Sequence, residues 1–262
     1  MEREKSITSR DNALFKRLKN LADSARARRE EHLTLLDGVH LIEAYAEASG
    51  KPATLVFAAS CPAEIRARLA GRCPEARLVE LGDGLFGELS PVATPVGVLA
   101  EAAWLEVTSA DYLVPLVLLL EDIQDPGNLG SLLRSAAAAG ASLAVLSRSC
   151  ADPWSPKALR GGQGAQFVLA LQQGADLLGW MLTHPALPVV ALSLHESVPI
   201  YRLDLSGPVG ILVGNEGAGL SPSVLDAARH RASIPMPGQA ESLNVAAAAA
   251  VALFEAVRQR TL

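Results

Sequence analysis

LVPLVLLLEDIQDPGNLGSLLRSAAAAG, residues Leu113–Gly140, decides the fold. Leu113–Leu120 is a continuous apolar run, as expected of a strand buried on both faces. It ends in Glu121-Asp122 and a turn built on Asp125-Pro126-Gly127-Asn128. A helix is expected over Leu129–Ala139, capped by Asn128 and closed by Gly140. Leu129, Leu132, Leu133 and Ala136 form its packing stripe, and Arg134 lies off it. Taken alone this is a buried strand followed by a capped helix with one surface arginine, or the rim of a site.

The same strand–loop–helix unit repeats downstream. Ser142–Leu146, Val189–Leu194, Gly210–Val213 and Ala232–Ile234 read as strands, and Asn244–Arg260 as an Ala-rich helix. Such alternation implies α/β architecture with a parallel sheet covered on both faces. Ligands in such sheets bind beyond the carboxyl ends of the strands. Two further loops lie there. Gly214-Asn215-Glu216-Gly217-Ala218-Gly219 has three glycines in six residues, and Ser221-Pro222 starts a helix. The turn fits neither G-x-x-x-x-G-K-[ST] nor G-x-G-x-x-G, which argues against a phosphate cradle and against a nucleotide-dependent dehydrogenase. Ile234-Pro235-Met236-Pro237 then gives a stiff segment with two backbone donors removed. Ser242 and Asn244 stand at the mouth of the last helix, as caps or as part of a site.

Upstream, residues 11–30 read as one helix and Leu33–Leu36 as a short apolar segment. Gly38–Ala48 reads as an amphipathic helix, Ala53–Ala58 as a strand, Pro62–Ala70 as a helix and Leu78–Leu81 as a strand. Phe86–Leu89 leads through Pro91 and Pro95 to Val96–Leu99. This is an α/β module of about 100 residues. Glu101–Asp111 reads as the linker that follows it.

Composition narrows the class. The chain has 262 residues, 50% hydrophobic and 4% aromatic, enough for a sizeable core of Leu, Val and Ala. No apolar run reaches the roughly 20 residues that span a bilayer. The charged amino terminus lacks the apolar core of a signal peptide, and three odd cysteines (Cys61, Cys73, Cys150) read as reduced packing residues, so a cytoplasmic location is expected. The five histidines show no metal-ligand spacing, and no metal is assigned. Net charge is −5, yet residues 1–29 hold nine basic against four acidic residues. That arm could steer a polyanion through Arg10, Lys16, Arg26, Arg28 and Arg29, or be a solvated helix surface.

Three loops in this order resemble the motifs of the SpoU/TrmH family, RNA ribose 2′-O-methyltransferases of the SPOUT superfamily. The matching pieces are Asp125–Gly130 with Arg134, Gly214–Gly217 with Gly219-Leu220, and Ile234-Pro235-Met236 with Ser242-Leu243-Asn244-Val245. The amino-terminal part resembles the family's L30e-like substrate-binding domain through Ile7-Thr8-Ser9, Asn12, Lys16, Leu35-Leu36-Asp37-Gly38 and Thr94–Val98. The resemblance implies an RNA-binding domain over 1–105 and a catalytic domain over 106–262 whose parallel sheet carries a deep trefoil knot. It implies S-adenosylmethionine as donor, a homodimer through the knotted domain, and structured RNA as substrate, 23S ribosomal RNA before transfer RNA. A module that keeps the fold and binds RNA without catalysis is the remaining alternative. Asn128, Arg134, Glu216, Ser242 and Asn244 fall on the catalytic positions. Leu192, Ser193, Gly214, Ile234, Met236 and Leu243 fall on cofactor positions. One stretch departs from the family: Arg160-Gly161-Gly162-Gln163-Gly164-Ala165 has Gly162 where serine is common.

Overall fold

A computed structural model describes residues 5–92, 94–108, 114–239 and 241–261. Leu113, taken above as the start of a strand, lies outside the described residues, as do residues 109–111 of the linker region. In chain order the elements are β1 (Lys5–Ile7), α1 (Ala13–Asp23), α2 (Ala25–Glu31), β2 (Leu33–Asp37), α3 (Val39–Glu47), β3 (Thr54–Ala58), α4 (Ala63–Arg72), β4 (Arg77–Leu81), α5 (Asp83–Leu89), β5 (Val98–Ala103), β6 (Leu116–Leu120), α6 (Pro126–Ala138), β7 (Leu143–Ser147), α7 (Pro156–Gly162), β8 (Ala170–Ala175), α8 (Leu177–Thr183), β9 (Val189–Leu192), β10 (Val198–Pro199), β11 (Val209–Val213), α9 (Pro222–Ala227), β12 (His230–Ser233) and α10 (Val245–Thr261). They form two compact units that are discontinuous in sequence. The first runs to Glu106 and takes in Asp152–Phe167; the second is Val107–Ala151 with Val168 onward.

The first unit is built on a five-stranded mixed sheet in the order β1-β4-β3-β5-β2. Two expectations fail here. The helix expected over 11–30 is two helices, because Ser24 adopts an extended backbone. Its hydroxyl accepts from the Ala27 amide at 3.2 Å and so caps α2. The linker expected from Glu101 begins later, because Glu101–Ala103 complete β5. The Glu101 carboxylate is buried, accepts from the Thr54 hydroxyl at 2.9 Å, and pairs with Arg17 at 2.6 Å.

The borrowed segment is anchored by a buried ion pair. Arg28 meets Asp152 at 2.7 Å, with side chains only 4% and 9% exposed. Arg28 also donates to the carbonyls of Leu21 and Ala22, where α1 ends. Thr34 donates to the Trp154 carbonyl at 2.6 Å, Trp154 stacks on Trp104, and Phe167 meets Tyr45 edge-on. Removing one partner of such a pair leaves an uncompensated buried charge. Arg28→Ala is therefore expected to lower unfolding free energy by about 3–5 kcal/mol, and Arg28→Met with Asp152→Leu to recover most of it. Urea unfolding of the three proteins checks this. Gly162 has a local cause as well. A Cβ there would run into the side-chain amide of Gln166, which is fully buried with its Nε2 donating to the Pro153 carbonyl.

The second unit carries a seven-stranded, wholly parallel sheet in the order β10-β12-β9-β11-β6-β7-β8. Leu116–Leu120 is buried throughout, as its unbroken apolar sequence requires. From β6 the chain steps outward to β7 and β8, then resumes beyond β6 at β9. β11 inserts between β9 and β6, and β12 pairs outside β9. Connections leaving the neighbours β6 and β11 thus run in opposite directions, which opens a crevice at their carboxyl ends. The three loops read from the sequence all emerge on that edge. Helix α10 packs against α6 and β11, bringing the third loop back to the first. β8, α8 and the two-residue β10 escape periodicity, since ALQQGA and LLGWMLT mix polar and apolar residues without a clean period.

Candidate active site

The first loop starts from Asp122, which sits in the left-handed region at φ 55°. Its carboxylate accepts from the Ser147 hydroxyl at 2.6 Å, so β7 fixes the turn. Cys150 lies alongside, donating to the Leu120 carbonyl; burial pushes its thiol up, which makes it an inert packing group. The cap of α6 is Asp125 and not Asn128 as the sequence suggested. The Asp125 carboxylate accepts from the Asn128 amide at 2.8 Å, and Pro126 occupies the first helical position. Asn128 is moved into the first turn, and its side chain is released from capping.

Two contacts lock the second loop onto the first. Glu121 accepts from both the amide and the hydroxyl of Ser221, at 2.7 and 2.6 Å. Asn215 donates to the Asp122 carbonyl at 2.8 Å, while its Oδ1 accepts from the amides of Gly217 and Ala218. Gly214 is required by the loop's own backbone: a Cβ would stand 2.6 Å from the Gly219 carbonyl group and 2.7 Å from the Leu220 nitrogen. Gly219 itself has φ 72°.

All three loops meet at Asn128. Its Nδ2 donates to Oε1 of Glu216 at 2.8 Å. Its Oδ1 accepts from Nδ2 of Asn244 at 3.1 Å. Asn244 in turn accepts from the amides of Ala246 and Ala247, so it caps α10 with one end of its amide and holds Asn128 with the other. Asn128→Ala is expected to uncouple both neighbours, lowering turnover at this site about 10²-fold through lost orientation; single-turnover rates measure this.

Beside this cluster lies a cavity of about 650 Å³. Leu192, Ser193, Gly214, Ile234, Met236 and Leu243 all line it, as do Glu216, Ser242 and Asn244. Its only ionisable lining side chains among the described residues are His195 and Glu216. Arg134 lies apart: it is exposed, contributes nothing to the lining, and makes no hydrogen bond or ion pair among the described residues. Asn244 bonds to Asn128 and to the amides of α10, and no hydrogen bond joins it to Arg134 among the described residues.

Residues 115–254 match the SpoU rRNA Methylase family, and residues 12–100 match the MRM3-like substrate binding domain. The chain belongs to the SpoU rRNA methylase family. It is 36% identical to the uncharacterised tRNA/rRNA methyltransferase slr1673 of Synechocystis, over 97% of this chain and 94% of that one. It is 30% identical to the 23S rRNA (guanosine(2553)-2′-O)-methyltransferase RlmP of Bacillus subtilis, over 95% and 98%. Among solved structures it resembles the SpoU methyltransferase AviRb of Streptomyces viridochromogenes, solved with AdoMet. The TM-score is 0.85 at 29% identity, covering 95% of this chain and 98% of that one.

Against this family background the basic arm needs correction. Arg28 is buried and fully engaged within the first unit, so it is a structural residue and cannot meet RNA. Arg10 pairs with Glu88, Lys16 with Asp11 and Arg26 with Glu30, all at the surface. Exposed pairs of this kind are weak and can be exchanged for phosphate. Arg29 is exposed and has no partner among the described residues. Sequence reasoning passed over Glu121, Asp122, Asn215 and His195. Asn215 and Glu121 had a signal, a polar residue at a strand's carboxyl end; the backbone angle of Asp122 had none.

Proposed function

We propose that this chain methylates a ribose 2′-hydroxyl of 23S ribosomal RNA with S-adenosylmethionine as donor. The meeting of Asn128, Glu216 and Asn244 at the mouth of a large cavity carries this reading. The cavity fits the donor. Leu192, Ile234, Met236 and Leu243 offer apolar walls for an adenine, and the proline-stiffened backbone between them leaves carbonyls free to accept from it. No lysine or arginine is among the described lining residues, and Glu216 is the one carboxylate, which suits a cationic donor. When bound, S-adenosylmethionine supplies an electrophilic methyl group. Ser242 and Asn244 position the 2′-hydroxyl at the mouth of α10, and Arg134, without a partner among the described residues, grips the neighbouring phosphate and stabilises the developing alkoxide.

Residues 1–105 serve substrate binding and 106–262 methyl transfer, with 152–167 lent to the first. The matched substrate-binding domain and the nearly full-length likeness to RlmP favour ribosomal over transfer RNA. Arg10, Lys16, Arg26 and Arg29 contact its phosphates. Family likeness supports a deep trefoil knot and a homodimer through the knotted domain; Phe254, 47% exposed on α10, suits such an interface. No helix among the described residues is long and apolar enough to cross a membrane, and a ribosomal RNA substrate supports a cytoplasmic location. Incubation of the purified chain with tritiated S-adenosylmethionine and unmodified ribosomal RNA is expected to yield a 2′-O-methylnucleoside on digestion. Label absent from RNA, or found on a base, contradicts the proposal.

A further inference from the structure

Methyl transfer to a hydroxyl must place a proton somewhere. We propose that the Glu216 carboxylate receives it, oriented by a one-directional hydrogen-bond relay that begins at the amino end of α10. This rests on the methyltransferase reading above.

The relay is specific in its polarity. Amides of α10 donate to Oδ1 of Asn244, Nδ2 of Asn244 donates to Oδ1 of Asn128, and Nδ2 of Asn128 donates to Oε1 of Glu216. Flipping either asparagine would set donor against donor and acceptor against acceptor, so both amides are fixed in one sense. Each bond polarises the next, and the chain ends on a negative charge, where a donated hydrogen bond is strongest. The far end is a 17-residue helix, whose amino terminus carries positive partial charge. The relay thus commits Oε1 of Glu216 and leaves Oε2 without a hydrogen bond among the described residues. Glu216 also lines the cavity, and no other carboxylate does so among the described residues.

The alternatives are worse acceptors. Arg134 carries a guanidinium that stays protonated in proteins. His195 reaches the cavity from the loop after β9, outside the three-loop cluster. In the proposed step the 2′-O–H bond breaks and its proton passes to Oε2 of Glu216. The 2′-oxygen takes the methyl group as the methyl–sulfur bond breaks, with that pair left on sulfur. Carboxylate and sulfonium become neutral carboxylic acid and thioether, so atoms and charge balance.

Glu216→Gln is the diagnostic variant, since its carbonyl can still accept from Asn128 and keep the relay. Other ionisable groups on the surrounding loops include Glu121, Asp122, Asp125 and Arg134 on the first loop and α6, Glu241 on the third loop, and His195 and Glu196 after β9; all stay intact. The expected result is a fall in kcat of about 10²–10⁴-fold, with cofactor affinity by calorimetry and thermal unfolding close to the parent. The acid limb of the kcat pH profile should vanish, and added formate should restore part of the rate in Glu216→Ala. A kcat within about tenfold of the parent overturns the proposal, as does a large fall that keeps the acid limb and resists formate, which would make Glu216 a positioning residue. A parent that binds S-adenosylmethionine yet methylates no RNA would refute the proposed function itself.

Discussion

Arg134→Ala is expected to abolish methyl transfer while leaving S-adenosylmethionine binding and folding intact. The expectation follows from where Arg134 stands. It lies on α6, about 1.7 turns beyond Asn128, exposed, off the cavity wall and without a partner among the described residues. No described residue makes a hydrogen bond or ion pair to it, so its removal should barely move thermal unfolding. An exposed guanidinium on the helix that carries Asn128 has a clear use once an RNA phosphate arrives. Charge-assisted, two-point hydrogen bonds to phosphate fix the ribose and oppose charge developing on its oxygen. Loss of one such preorganised donor costs about 10²–10³-fold in kcat, and loss of substrate positioning multiplies that. Arg134→Lys should recover little, because an ammonium cannot reproduce the planar fork. Methyl transfer measured beside calorimetric cofactor binding separates the two effects; full activity in Arg134→Ala sinks the assignment.

The second large effect belongs to Gly214. The atoms that a Cβ would strike are backbone atoms of Gly219 and Leu220, so no side-chain rotation relieves the clash. The loop cannot open freely, because Asn215 pairs with Gly219 and Glu121 holds Ser221. Gly214→Ala should therefore cost about 1–3 kcal/mol of stability, in the range of overpacked sites. Cofactor affinity should fall at least about tenfold, since the loop forms one wall of the cavity. Gly238 is the control: a Cβ there meets nothing within 4 Å, and Gly238→Ala should leave both quantities near the parent. Urea unfolding and calorimetry decide, and an unperturbed Gly214→Ala would show that the loop is not packed as described.

Most of the second unit was legible because its strands are buried on both faces and therefore read as unbroken apolar runs. Leu116–Leu120 and Val209–Val213 are the clearest cases, and the loops at their carboxyl ends marked the site. What was illegible has specific causes. Glu101 and Arg28 looked like surface charges, yet each is buried against a partner far away in sequence, Arg17 and Asp152. Ser24 interrupts a helical period without disturbing it, because its neighbours Leu21 and Ala25 still fit the pattern. The cap of α6 was misplaced by three residues, since Asp125 and Asn128 can both cap and only geometry shows which does. Pairwise contacts such as Glu121–Ser221 span 100 residues and leave no local trace. Arg134, Asn128, Glu216, Ser242 and Asn244 were singled out only through their motif context; the hydrogen bonds that join Asn128, Glu216 and Asn244 leave no trace in sequence and are visible only in three dimensions.

The most direct test is a transcriptome-wide map of ribose methylation in cells lacking this chain, complemented with either the parent or Arg134→Ala. One 2′-O-methyl site in 23S ribosomal RNA should disappear without the chain, return with the parent, and stay absent with Arg134→Ala. An unchanged map, or a site restored by Arg134→Ala, would contradict this expectation.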